Sequence, residues 1–147
     1  MASRRRAREY AMQVLFQADM SSMEIDEALN ALWAGLLEDE DGSLGGRQAE
    51  DEEIRFASML AQGVEREQES LDKRIESCST NWRMTRMPHV DRNILRMGAF
   101  EILFLDEVPA HVTINEAIEL AKKFGTAESK GFINGILDRL AREAGRI

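Results

Sequence analysis

Arg4, Arg5, Arg6 and Arg8 crowd guanidinium groups into the start of a chain whose formal net charge is -8. Planar guanidinium forks match the paired oxygens of phosphate, so a run of this kind is suited to gripping a nucleic-acid backbone. At helical pitch Arg4 and Arg8 fall one turn apart on one face, with Arg5 and Arg6 fanned around it. Cations at a helix start oppose the macrodipole, so helix stability does not account for them. The plain alternative is a solvated, frayed N-terminus.

Few other residues are placed to do chemistry. The two histidines, His89 and His111, each stand beside or near a proline in a connecting segment, where a turn or cap role is expected. His89-Val90-Asp91 juxtaposes an imidazole and a carboxylate in sequence, but adjacency alone does not supply the geometry of an acid–base pair. Cys78, between Ser77 and Ser79, has no cation cluster to stabilise a thiolate and reads as a buried, inert thiol. One cysteine and two histidines do not make a zinc site. Gly42–Gly46 lacks the Lys-Ser/Thr sequel of a phosphate-binding loop and sits among acids that repel phosphate. No catalytic residue, metal site or cofactor is expected, and the chain does not read as an enzyme.

The acidity is local. Glu38-Asp39-Glu40-Asp41 and Glu50-Asp51-Glu52-Glu53 carry eight negative charges against the single Arg47, so this segment accounts for -7 of the net -8. Nucleic-acid binding depends on where cations cluster, so the acidic total does not exclude it. A chain of 147 residues suits one domain with a single sizeable core, expected to span 1–147. A hydrophobic share of 44% and a charged share of 31% place it among globular proteins rather than disordered or membrane chains. No apolar run approaches the roughly 20 residues of a membrane span. Glu9, Gln13, Gln17 and Asp19 interrupt any signal-type apolar core. A lone cysteine suits a reducing compartment, so a cytoplasmic protein away from membranes is expected.

The elements that must position the arginines are helical, since no stretch sustains period-2 alternation. Ser3 is the expected N-cap of a first helix over about residues 4–20, with Ala11, Leu15 and Ala18 on one face. Ile25, Leu29, Leu32, Trp33 and Leu36 form the stripe of a second helix. Residues 38–49, with Gly42, Gly45 and Gly46, predict an exposed loop. A long third helix carries Ala57, Ala61, Val64, Leu71 and Ile75, although Gly63 interrupts its propensity. Asn81 to His89, holding Trp82 and Pro88, is a connection. Residues 90–105 predict a nearly all-apolar, buried helix that stops before Pro109. Thr113 and Glu116 read as a capping box opening a helix over Ile114–Phe124, with Gly125 at its C′ position. The last helix is expected over about Ser129 to Glu143, burying Ile133, Ile136, Leu137 and Leu140. Its Gly131 and Gly135 read as packing devices that admit another backbone. The expected fold is an all-α compact bundle of six to seven helices.

Two aromatics near the C-terminus admit two readings. Phe124 and Phe132 are core by default, because aromatics are usually buried. Beside Lys123 and Lys130 they also fit a single-strand reader, which stacks bases on rings and holds phosphates with cations.

Three stretches together resemble the NusB family of bacterial transcription antitermination factors. They are Arg4-Arg5-Arg6-Ala7-Arg8-Glu9; Ile114-Asn115-Glu116-Ala117-Ile118-Glu119-Leu120-Ala121-Lys122 with Phe124-Gly125; and Phe132-Ile133-Asn134-Gly135-Ile136-Leu137-Asp138. Val90-Asp91-x-x-Ile94-Leu95-Arg96 is similar to the family's central buried helix. Residues 21–53 match nothing in that pattern. The resemblance implies a non-catalytic RNA-binding protein with two helical subdomains, approximately 1–80 and 81–147. Such proteins bind single-stranded boxA leader RNA together with NusE, which is also a small-subunit ribosomal protein, and help the transcription elongation complex through ribosomal RNA operons. By position, Arg4, Arg5, Arg6 and Arg8 correspond to the arginine-rich RNA-binding segment, and Phe16, Lys130 and Phe132 to further RNA contacts. Asp91 and Glu128 fall where the family presents acidic residues to its basic partner, exposed at helix starts. The short tail after Glu143 departs from members with a basic extension. Two alternatives stay open at this point. One is the NusB-like RNA-binding domain of an RNA cytosine methyltransferase, against which no Rossmann-type half or glycine fingerprint appears in the sequence. The other is a self-associating helical module, a homodimer formed through the RNA-binding face.

Overall fold

The computed structural model describes residues 2–38 and 49–147, with Glu38 described by its backbone alone. Among the described residues there are six α-helices: α1 (Arg4–Ser21), α2 (Ile25–Glu38), α3 (Asp51–Cys78), α4 (His89–Phe104), α5 (Ala110–Phe124) and α6 (Ser129–Glu143). A short 3-10 helix, Met84–Arg86, lies in the connection before α4. No strand occurs among the described residues, so the all-α expectation holds. The expected exposed loop lies, apart from its ends, outside the described residues. No helix is long and apolar enough to cross a membrane, among the residues described.

The chain divides into two compact units, Met1–Gln62 and Gly63–Ile147. The division falls inside α3, whereas the subdomain limit near residue 80 follows the end of that helix. In the first unit α1 packs on α2. Ala7, Tyr10, Ala11, Val14 and Leu15 form a buried stripe on α1 at three-and-four spacing, and Arg8 and Met12 are buried beside it. Ile25, Ala28, Leu29 and Leu36 answer it from α2, and Phe56, Ala57, Leu60 and Ala61 from the first turns of α3. In the second unit α4, α5 and α6 pack against one another pairwise. The remaining turns of α3 add Val64, Leu71 and Ile75 with no exposure at all. Burial of each such Leu or Ile contributes about 1.5–3 kcal/mol.

Gly63 does not break α3. A Cβ there would run into the Phe100 ring, so the glycine lets α4 lie close. The α4 helix is buried as expected, but four polar residues go in with it, each with a partner. Arg96 grips Asp72 with two hydrogen bonds, Nε to Oδ1 at 2.9 Å and Nη2 to Oδ2 at 3.1 Å, and its Nη1 donates to Asn93 Oδ1 at 3.1 Å. Asn93 Nδ2 donates to the His89 carbonyl at 2.8 Å, and Thr113 Oγ1 donates to Glu101 Oε1 at 2.9 Å. Ser129 Oγ donates to Asp91 Oδ1 at 2.8 Å. A buried polar group is tolerated only when bonded in this way, since leaving one unmade costs about 1–3 kcal/mol.

Two terminus expectations for α5 are corrected. The helix opens at Ala110 after Pro109 rather than at Ile114, so Thr113 lies inside it and its hydroxyl serves Glu101 instead of a cap. Proline presets φ for a helix start and has no N–H to leave unsatisfied, and that outweighs the capping box downstream. Gly125 is the C-cap with an extended backbone, φ -100° and ψ -166°. Its lack of a side chain answers crowding: a Cβ would stand 2.6 Å from Ser129 Oγ and 2.9 Å from the Ala121 carbonyl.

Candidate nucleic-acid interface

In the first unit the arginine run is held by its neighbours on both sides. Ser3 is the N-cap of α1, its Oγ accepting from Arg6 N at 3.1 Å. The Ser3 N–H donates to Glu53 Oε2 at 2.8 Å, while the Glu50 N–H donates to Oε1 of the same carboxylate at 3.1 Å. Glu53 is 1% exposed, so a buried side chain accepting two backbone N–H groups joins the starts of α1 and α3. The helix start that carries the arginines is therefore anchored, not frayed.

The four guanidiniums have different surroundings. Arg4 and Arg5 are exposed. The Arg4 guanidinium carbon lies 4.4 Å from the Phe56 ring centroid, and that of Arg8 lies 5.5 Å from the same centroid. Cation–π attraction of this kind contributes about 0.5–2 kcal/mol, more when desolvated. Arg6 is half-buried, and its Nε donates to Tyr10 Oη at 2.9 Å. That hydroxyl holds the Arg6 guanidinium above its ordinary pKa, against the lowering that partial burial brings. Arg8 is only 4% exposed. The plain alternative of a frayed, solvated run does not describe all four: Arg5 is exposed, Arg6 is half-buried, and the Arg4–Arg8 face of α1 turns toward Phe56 of α3. Phe16, half-buried, stands two further steps of four along that row.

The second unit carries the remaining residues, at the start of α6. Lys130 and Glu128 are exposed, and Phe132 is half-buried. Phe132 meets Trp82 edge to face, with centroids 5.9 Å apart and planes at 73°. Trp82 keeps 48% of its surface exposed, and nothing in the sequence pattern marks it for a role. Its only signal there is an aromatic beside Arg83 in a connection without acids. Thr126 Oγ1 donates to Glu128 Oε2 at 3.2 Å. Gly131 and Gly135 face open space, since a Cβ on either would meet nothing within 4 Å, so they are not packing devices among the described residues.

Asp91 does not behave as a surface carboxylate. It is 5% exposed and accepts from Ser129 Oγ, which in turn accepts from the Thr126 N–H at 3.0 Å. Burial pushes the Asp91 carboxyl above the ordinary carboxylate value, and the Ser129 hydrogen bond pulls the other way. The expectation of an exposed Asp91 fails because the first turn of α4 is covered by the 126–129 turn. Of the expected acidic pair, only Glu128 presents its carboxylate to solvent.

The other chemistry-bearing residues have structural surroundings. Arg92 Nη2 lies 3.1 Å from His89 Nδ1, and His111 is exposed. Cys78 is buried, which pushes its thiol pKa up and keeps it protonated, and it donates weakly to Glu143 Oε1 at 3.7 Å. Among the described residues no group of His, Cys, Asp and Glu is placed to hold a metal ion.

The model of the NusB family matches residues 5–142. A Transcription antitermination protein NusB from Myxococcus xanthus is 40% identical over 141 residues, covering 96% of each chain. The solved structure of T. maritima NusB is similar with a TM-score of 0.79 at 32% identity, covering 97% of this chain and 94% of that one. A solved structure of antitermination factors NusB and NusE in complex with dsRNA shares the fold, with a TM-score of 0.80 at 24% identity over 95% of this chain and 96% of that one.

Proposed function

The chain belongs to the NusB family of transcription antitermination proteins, a non-enzymatic family, and on that premise we propose that it binds single-stranded boxA leader RNA. NusE is its protein partner, and the pair serves the transcription elongation complex on ribosomal RNA operons in the cytoplasm. The observation that carries this reading is the exposure of Arg4 and Arg5 on a helix start that Ser3 and Glu53 anchor. Cations on a fixed frame meet phosphates without first losing conformational freedom, which lowers the cost of binding.

Arg4, Arg5 and Arg6 contact phosphates, Arg6 after exchanging or sharing its bond to Tyr10. Arg8 contributes from its packed position over Phe56, orienting the run. Phe16 adds a contact on the same helix, and Lys130 with Phe132 adds a cation and a ring on α6. For the partner, the structure of NusB and NusE with RNA supports a protein–protein contact in a relative. Glu128 offers the charge for a basic partner, and Asp91 acts behind it by holding Ser129 and hence the start of α6.

A titration of labelled boxA RNA, with and without NusE, tests the reading. Binding is expected for the protein alone, tighter when NusE is present, and weaker for RNA of scrambled sequence. Equal affinity for boxA and scrambled RNA under all conditions would overturn it.

A further inference from the structure

Trp82 is the most exposed large aromatic side chain among the described residues, and the backbone that carries it is fastened at several points. The Met84 N–H donates to Glu76 Oε2 at 2.8 Å, and Arg92 Nη1 donates to the Met84 carbonyl at 3.1 Å. The Trp82 N–H donates to Ser79 Oγ at 3.2 Å. Met84 and Met87 are buried, at 4% and 3% exposure, and pin the 3-10 turn beneath. An indole left 48% exposed on so constrained a backbone is not explained by packing.

Its surroundings have the chemistry of a single-strand reader. No Asp or Glu occurs between Glu76 and Asp91, a marked local exception in a chain of net charge -8, and Arg83 and Arg86 in that stretch are both exposed. The ring it touches, Phe132, stands two residues from exposed Lys130. Rings above cations along a track are what unpaired nucleotides need, since bases stack on the rings while phosphates meet the charges.

We propose that Trp82 is a base-stacking residue that forms, with Phe132, a two-ring platform for single-stranded RNA. The inference rests on the RNA-binding reading and adds to it a residue and a second ring. Planes at 73° do not clamp one base between parallel faces. Each ring offers its face to a separate base, so the strand bends where it passes from one to the other.

The chain has two tryptophans, so a Trp33→Phe background leaves Trp82 as the sole indole emitter. In that background, boxA RNA is expected to quench Trp82 emission with the same midpoint as the anisotropy of labelled RNA. Trp82→Ala should weaken RNA binding roughly 5- to 150-fold, the range expected for losing one stacked base. Trp82→Phe should recover most of that loss, with helical circular dichroism and melting temperature confirming that each variant folds. Unchanged affinity in Trp82→Ala and unquenched emission, in a protein whose RNA binding still falls on Arg5→Ala, overturn the platform and leave the RNA reading standing. Emission that responds to NusE but not to RNA also overturns it, in favour of a protein contact. Failure of the parent protein to bind RNA at all overturns both.

Discussion

Ser129 and Asp91, thirty-eight positions apart, are joined by a 2.8 Å hydrogen bond from the Ser129 hydroxyl to the Asp91 carboxylate, both residues at 5% exposure or less. The bond fastens the first turn of α4 to the first turn of α6, the helix that carries Lys130 and Phe132. A carboxylate that the family resemblance puts at the partner surface, and that was expected to be exposed there, is buried in the fold and holds the start of α6 as a latch.

The latch has a pH signature. Burial raises the Asp91 carboxyl in the folded protein, so the folded state holds its proton more tightly than the unfolded one. The contribution is fully present below the ordinary value of 3.8 and is lost as pH rises through the raised folded value. Asp91→Asn, a neutral stand-in that still accepts from Ser129, should therefore gain stability relative to the parent as pH rises through that window. Urea titrations of both proteins across mildly acid to neutral pH check this, and a constant difference would contradict it.

RNA affinity should depend on salt through the exposed arginines. Each phosphate neutralised on a single strand contributes a slope of roughly -0.7 in log K against log salt. Arg5→Ala together with Arg6→Ala should weaken binding and flatten the slope by about 1 to 1.5 units. Fluorescence titrations at several salt concentrations measure it, and an unaltered slope removes these two residues from the interface.

Arg8→Ala should act on the fold. Arg8 is 4% exposed, with its guanidinium carbon 5.5 Å from the Phe56 centroid, so its side chain is part of the packing. Its loss should destabilise the protein by about 1–3 kcal/mol, read as a drop in melting temperature, whereas Arg5→Ala should leave the melting temperature nearly unchanged.

Phe132 separates stacking from core packing. Half-buried against Trp82, it should lose less on truncation to Ala than the 3–5 kcal/mol or so of a full core phenylalanine. RNA affinity should fall by about 1–3 kcal/mol. A full core-sized loss of stability with RNA affinity intact withdraws Phe132 from the site.

Glu128→Lys should slow association with NusE and weaken the salt dependence of that rate, because complementary charge chiefly speeds encounter. RNA binding by the isolated protein should survive. Stopped-flow rates across a salt series decide it, and unchanged rates place Glu128 outside the partner surface.

The sequence by itself determined that the chain is helical and where most of the inward faces lie. Ala57, Ala61, Val64, Leu71 and Ile75 repeat at helical pitch, and all five are fully buried on α3. Ser3 was legible as an N-cap because its acceptor role spans only three residues, to Arg6. The arginine run and the motifs shared with the NusB family were legible for the same reason, being contiguous. Tertiary structure alone decided which of those arginines meets solvent, since Arg8 is covered by Phe56 from another helix. It turned Thr113 from a cap into a partner of Glu101, buried Asp91 under Ser129, and set Trp82 against Phe132 across fifty positions. Periodicity and capping are short-range properties that a local run of residues carries in full. Exposure and side-chain pairing depend on which distant segment arrives alongside, and no local pattern encodes that arrival.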